Sequence, residues 1–77
     1  MPRFFFHVQD GVFLSDTEGV DLGDLDAVRD HAITAIRRSI SDGALKGADR
    51  THWTMIVADE AGVTQLVVPF SYALSRN

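Results

Sequence analysis

The sequence predicts a small α+β domain over residues 1–77, in which an antiparallel sheet of about four strands carries one amphipathic helix on one face, in the order β-β-α-β-β. Three observations predict this fold. Short apolar segments occur in two pairs, each joined by a tight turn that contains glycine. A segment between the pairs repeats apolar residues every three to four positions. Seventy-seven residues without cysteine leave room for one small core, and two packed layers bury both apolar surfaces.

The first pair is a β-hairpin. Residues 3–9 (RFFFHVQ) have strand composition, Asp10-Gly11 is a strong two-residue turn signal, and residues 12–14 return as a second strand. Residues 15–23 are polar, contain two glycines, one of them at the end, and show no sustained period. We therefore expect them to form a surface loop that leads to the helix.

The helix is predicted from Asp24 onward. Its apolar residues follow the spacing of one helix face: Leu25, Val28, Ala32, Ile36 and Ile40. Asp24 or Asp21 can cap the first turn, since aspartate accepts hydrogen bonds from unpaired N–H groups there. Two ends are compatible with the sequence, one at Asp42-Gly43 and one a turn later at Gly47.

The second pair spans residues 52–58 and 63–68, joined by a turn at residues 59–62. Pro69 either ends the last strand or confines it to a sheet edge, because proline has no N–H to donate. Residues 70–74 (FSYAL) are long enough for one helical turn against the body. The first strand can pair with either strand of this hairpin, and its apolar composition favours a place inside the sheet.

Alternation along the strands assigns side chains to the two sheet faces. The helix-facing set is Phe4, Phe6, Val8, Trp53, Met55, Val57, Leu66 and Val68. The other face is too apolar for open solvent, and it defines a possible interaction surface of Phe5, His7, Ile56, Val63 and Val67, with Phe13 as a further candidate. Contiguous apolar patches of this kind mark association surfaces. We therefore predict a protein–protein interaction or homodimerisation module, with one competing interpretation: residues 69–74 fold back over the same face.

Basic residues near the helix end suggest an alternative function. The set comprises Arg37, Arg38, Lys46 and Arg50, and Trp53 or Tyr72 could add stacking, as in proteins that bind single strands. The net charge of −4 disfavours nucleic-acid binding over the whole surface. Since bases also suit the negative end of a helix dipole, nucleic acid is the weaker of the two partner predictions.

The sequence contains none of the catalytic or phosphate-binding motifs sought and only a weak candidate for a metal site. It lacks a cysteine nucleophile, a G-x-S-x-G elbow and a Gly-rich phosphate loop, so we predict no enzymatic activity, no cofactor and no catalytic residue. His7 and His52 could approach each other if their strands pair, but two residues this far apart favour separate roles over a metal site. The lack of cysteine and of a long apolar run predicts a cytoplasmic protein without a membrane segment.

Three stretches give the chain a family likeness. They are the opening MPRFFFHVQDG, the acidic loop running into DLDAVRDHA, and the late W-x-x-x-V-x-D-E-x-G followed by VVPF and Ala73. With these, the chain resembles a bacterial domain-of-unknown-function family of short proteins that open M-P-R-[YF]-F-F-H. The resemblance implies one complete small domain and brings no activity, ligand or catalytic residue; Gly23 stands where such sequences have proline.

Overall fold

The computed structural model describes residues 2–75 and confirms the predicted α+β class and element order. The elements are β1 (Arg3–Gln9), β2 (Phe13–Leu14), β3 (Val20–Asp21), α1 (Leu25–Leu45), β4 (Thr54–Asp59), β5 (Thr64–Pro69) and α2 (Phe70–Ser75). The antiparallel sheet has the order β2-β1-β4-β5, and β3 also pairs with β1. The most apolar strand, β1, lies inside the sheet as its composition predicted.

The fifth strand, β3, lies in the segment predicted to be a loop. Val20 and Asp21 pair with Phe4 and Arg3 at the start of β1. Arg3 holds this strand by its ion pair with Asp21, with 3.0 Å between Nε and Oδ1. Two residues cannot display a period, so a contact made by a distant arginine gave no local signal in the sequence.

α1 extends to the later of the two ends that the sequence allows, the one at Gly47. Asp24 caps the helix through a 2.8 Å hydrogen bond from the Ala27 N–H to its carboxylate. At the other end, Gly47 has φ +74° and its N–H donates to the Ala44 carbonyl, while the Ala48 N–H donates to the Gly43 carbonyl. This pair of bonds is the Schellman arrangement that ends helices at a left-handed glycine.

The core lies between α1 and the inner sheet face. Its buried residues are Phe4, Val28, Ala32, Ile33, Ile36, Met55, Val57, Val68, Phe70 and Ala73, with Phe6, Val8, Ile40, Trp53 and Leu66 partly buried against them. The prediction that Leu25 belongs to the core is wrong, because the side chain of this first helical residue is 53% exposed. Ile33 is buried instead, one turn before Arg37, which contacts α2.

The last helix packs on the helix-bearing side of the sheet. Phe70 and Ala73 of α2 are both fully buried in the core. Arg37 of α1 donates from Nε to the Ala73 carbonyl at 3.3 Å, which ties the two helices together. The competing interpretation, in which residues 69–74 fold over the outer face, is therefore wrong. Among the described residues, no helix has the length and hydropathy needed to cross a membrane.

Candidate functional site

The sheet face turned away from α1 carries a patch that crosses every strand of the main path. His7 on β1 lies opposite Ile56 on β4, and Ile56 lies opposite Val67 on β5. On the other side of His7, the Phe13 ring of β2 lies 5.1 Å from the imidazole between ring centroids. Phe5 stacks on His7 at 6.4 Å with an interplanar angle of 6°. We call Phe5, His7, Phe13, Ile56 and Val67 the outer patch.

The outer patch is covered by the loop near Phe5 and exposed to solvent near Phe13 and Val67. A Cβ built on Gly19 would lie 2.9 Å from Cε2 of Phe5, so the loop backbone rests against this ring. Phe5 in turn lies opposite Ala58, which is buried although it belongs to the outer face. Phe13 and Val67 remain 50% and 56% exposed. The exposed part of the patch therefore lies away from Phe5, toward β2 and β5.

Val63 does not join the outer patch. The register shifts by one residue on β5, because Leu66 pairs with Val57 but Thr64 pairs with Ala58. The Asp59 N–H then donates to the Val63 carbonyl, which sets Val63 opposite Asp59. Asp59 pairs with Phe4, a core-facing residue, so Val63 has the parity of the inner face. A β-bulge reverses the face of every residue beyond it, and the unbroken alternation assumed for the sequence missed this.

Asp16 fixes the His7 side chain of the outer patch by a backbone hydrogen bond. The Asp16 N–H donates to Nδ1 of His7 at 2.9 Å, while its carboxylate accepts from the backbone N–H of Phe6 at 3.0 Å. The same carboxylate accepts from the N–H groups of Glu18 and Gly19. Burial raises the pKa of Asp16, but these three backbone hydrogen bonds outweigh it and hold the pKa below its ordinary value.

One ion pair, Arg3 with Asp21, lies at one end of the patch. Arg3 forms the ion pair with Asp21 and also donates from Nη1 to the Glu18 carbonyl at 2.9 Å. The hydrogen bond and charge of Arg3 lower the pKa of Asp21, although partial desolvation opposes them. The five residues of the outer patch contain no Asp, Glu, Lys or Arg.

Three of the four basic candidates for nucleic-acid binding contact other parts of the chain. Arg37 donates to the Ala73 carbonyl. Lys46 forms an i, i+4 ion pair with Asp42 at 3.2 Å. Arg50 donates from Nη1 to the carbonyl and hydroxyl of Ser39. Arg38 is exposed on α1.

The stacking candidate Trp53 is also engaged within the fold. The Arg50 guanidinium lies 4.9 Å above its ring, and the Phe70 ring packs on it at 5.8 Å between centroids. Asp42 lies 3.5 Å from Nη1 of Arg50, so a carboxylate lies among the basic side chains. The structure therefore does not present these residues as one open basic surface.

The two histidines considered as metal ligands lie apart. His7 is opposite Ile56, whereas His52 precedes β4 by two residues, a separation of four residues or about 13 Å along a strand. Among residues 2–75, no group of three or more His, Asp or Glu side chains is arranged to hold a metal ion.

Sequence reasoning missed Asp16 and Gly19, which position the patch. The spacing Asp-x-x-Gly is typical of an aspartate that accepts from N–H groups two and three residues later, so the local turn could have been found. The bond from Asp16 to Phe6 joins residues ten apart across the hairpin and leaves no comparable pattern.

One family model matches the chain over residues 3–71, and its description is a domain of unknown function (DUF6894). Neither a curated protein nor a solved structure matches the chain.

Proposed function

We propose a function for this chain, which belongs to the DUF6894 family, a domain of unknown function. The proposed function is that of a protein-interaction module, which associates with a second copy of itself through the outer patch. The observation that carries this proposal is the continuous row from Phe13 through His7 and Ile56 to Val67. The row crosses four strands, and its two ends are at least half exposed. An apolar row of this extent differs from scattered apolar residues on a surface.

The charge pattern of the outer patch permits a second copy as the partner. The chain has a net charge of −4, so two copies repel each other over most orientations. The outer patch contains no formal charge, and the nearby Arg3 and Asp21 form a neutral pair. Two such faces can meet about a twofold axis without placing like charges in contact, as an isologous interface requires.

The area of the outer sheet face sets the expected affinity of self-association. The face is formed by strands of seven, two, six and six residues, which are β1, β2, β4 and β5. At about 4.8 Å between strands and about 3.3 Å per residue, it measures about 330 Å² on each copy. The total of about 670 Å² is less than half of a standard interface of about 1,600 Å². We therefore expect a weak, reversible dimer, with dissociation in the micromolar range or above. We propose the cytoplasm as its compartment, as expected from the sequence, because a chain without cysteine needs no disulfides, which are rare there.

Sedimentation velocity over micromolar to millimolar concentrations tests the proposal. The wild-type protein is expected to shift from monomer to dimer as its concentration rises. Phe13→Asp adds a charge to a half-exposed side chain of the patch and is expected to leave a monomer. Val63→Asp is the matched control, because Val63 is 56% exposed but lies off the patch, and it should associate like the wild type.

Two outcomes would contradict self-association. A wild-type protein that stays monomeric at millimolar concentration has no such interface. Equal loss of the dimer in both variants would mean that added negative charge, rather than the patch, controls association. Phe13 is preferred to Phe5 for this test because the Phe5 ring rests against the Gly19 backbone, so a charge there would also disturb the fold.

A further inference from the structure

A second surface lies at the edge of the sheet. β5 is the last strand of the path, and on its far side no strand of the described residues pairs with it. Edge strands present unpaired N–H and C=O groups and can accept an added strand.

The register shows which backbone groups point to this edge. Pro69 pairs with Thr54 and has no N–H, while the next residue, Phe70, donates its N–H to the Trp53 carbonyl at 2.9 Å. Pairs in an antiparallel ladder alternate between bonded and non-bonded, so the pair of Val67 with Ile56 is of the non-bonded kind. Both the N–H and the C=O of Val67 therefore point away from β4, toward the open edge.

A shallow groove runs beside the same edge on the helix-bearing side. It has a volume of about 220 Å³ and is lined by Arg29, Leu66, Val67, Val68, Pro69 and Tyr72. Leu66 and Val68 supply an apolar floor, and α1 and α2 supply the walls through Arg29 and Tyr72. A strand added to β5 would direct every second side chain into this groove.

Arg29 gives the groove its charge preference. Its exposed side chain makes no hydrogen bond or ion pair with the residues that the structure describes, and the neighbouring Asp26 and Asp30 do not line the groove. This is an unpaired cation beside an unpaired strand edge, and it gives a local attraction in a chain whose net charge of −4 otherwise repels acidic partners. A carboxylate is the group that complements an arginine through paired N–H donors.

We propose that the β5 edge binds an extended acidic peptide, which adds to the sheet as an antiparallel strand. The residue opposite Val67 exchanges both backbone hydrogen bonds with it. One neighbour of that residue directs an apolar side chain onto Leu66 and Val68, and the other directs a carboxylate to Arg29. Pro69 and the β5 bulge between Thr64 and Leu66 bound the usable edge, so the recognised segment is short.

Titration of the ¹⁵N-labelled full chain with two blocked pentapeptides, acetyl-TVTET-amide and acetyl-TETVT-amide, tests this proposal. The two orders place valine and glutamate on either side of the central threonine. NMR shift changes are expected at millimolar peptide for one of the two orders, centred on the amides of Leu66, Val67 and Val68. N-methylation of the central threonine is expected to abolish the changes, because it removes the donor to the Val67 carbonyl.

Two further comparisons test the acidic preference. Arg29→Gln, or glutamine in place of the peptide glutamate, is expected to weaken binding about threefold, as for an exposed ion pair. Arg38→Gln is the matched control, an exposed arginine on the same helix that does not line the groove, and it should bind like the wild type.

Three results would overturn the proposal: no shift changes with either peptide, changes centred elsewhere than β5, or binding that does not depend on Arg29. Because Phe13 lies at the opposite edge of the sheet, Phe13→Asp should bind the peptide normally even where it abolishes self-association. The two proposals can therefore fail separately.

Discussion

The Asp16 carboxylate accepts a hydrogen bond from the backbone N–H of Phe6 at 3.0 Å, in the gap that β2 and β3 leave along one edge of β1. β2 pairs with Val8 and Gln9, and β3 pairs with Arg3 and Phe4, so neither strand reaches the middle of β1. A side-chain oxygen replaces a strand carbonyl at this position. The loop that closes the edge is thereby fixed to the strand that carries Phe5 and His7.

Asp16→Asn is expected to lower the free energy of unfolding by about 1 kcal/mol at neutral pH. This is less than the full value of a hydrogen bond to a charged acceptor, because Asp16 is partly exposed and asparagine keeps one acceptor oxygen. The folded-state pKa of Asp16 is lowered, so its contribution is complete above the pKa of an unfolded aspartate, about 3.9. The contribution is lost as the pH falls below that value toward the folded-state pKa. Urea unfolding at neutral pH and near pH 3 measures this, and the difference between variant and wild type should shrink in acid.

The sequence predicted the elements that depend on local patterns. The positions of both hairpins, the Asp24 cap and the inner position of β1 follow from turn chemistry and apolar composition. The first loop has three residues, 10–12, instead of the two that were predicted, because Gln9 pairs with Phe13. The prediction fails where residues distant in the sequence determine the local structure. Val63 changes face because one extra residue in β5 shifts the register. The sequence left two helix ends open, and the structure has the later one, with Arg50 packed on Gly43.

The outer patch was only partly predictable for the same reason. Phe5, His7, Ile56 and Val67 share one face as alternation predicts, and Phe13 reaches them because the hairpin register sets it opposite Gln9, beside His7. The shelter of Phe5 comes from Gly19, fourteen residues along the chain, and no periodicity connects the two. The side chain of Phe5, the middle ring of FFFH, is thus covered in part by the Gly19 backbone. The rest of its surface belongs to the outer patch.

Gly19→Ala is expected to destabilise the fold more than Gly47→Ala. Both glycines have nearly the same φ, +73° and +74°, so the backbone strain of about 1 kcal/mol is common to both variants. At Gly47 a Cβ meets nothing within 4 Å, whereas at Gly19 it would lie 2.8 Å from Cγ of Arg3 and 2.9 Å from Cε2 of Phe5. Thermal or urea unfolding should give a loss of about 3 kcal/mol for Gly19→Ala, since overpacking adds about 2 kcal/mol. Equal losses would contradict the contact with Phe5.

Gly43 and Arg50 are expected to be energetically coupled. A Cβ on Gly43 would lie 2.8 Å from Nε of Arg50, whose guanidinium is held by Ser39 and Trp53. In an Arg50→Ala background, Gly43→Ala should stabilise the protein by about 1 kcal/mol through helix propensity. In the wild-type background the same change should gain less or destabilise, giving a coupling of about 1–2 kcal/mol in a double-mutant cycle. Additive effects would mean that Arg50 does not depend on Gly43.

The nucleic-acid alternative makes a separate prediction about Arg38. Since Arg37, Lys46 and Arg50 bind partners within the chain, we expect no salt-sensitive binding of a labelled single-stranded DNA or RNA oligonucleotide at low salt, measured by fluorescence anisotropy. Binding that Arg38→Glu removes, and that Arg29→Glu leaves in place, would instead support the basic surface. Arg29→Glu is the matched charge reversal on the same helix, nine residues away.

Salt is expected to strengthen self-association. Each copy carries a net charge of −4, while the contact surface is uncharged, so the charges outside the interface oppose dimer formation. Raising sodium chloride from about 0.1 M to about 1 M shortens the Debye length from about 10 Å to about 3 Å and screens this repulsion. Sedimentation velocity at a fixed protein concentration should show a larger dimer fraction at high salt, and Phe13→Asp should remain monomeric at both. A dimer that dissociates as salt rises would show that ion pairs hold the interface, which the uncharged outer patch cannot supply.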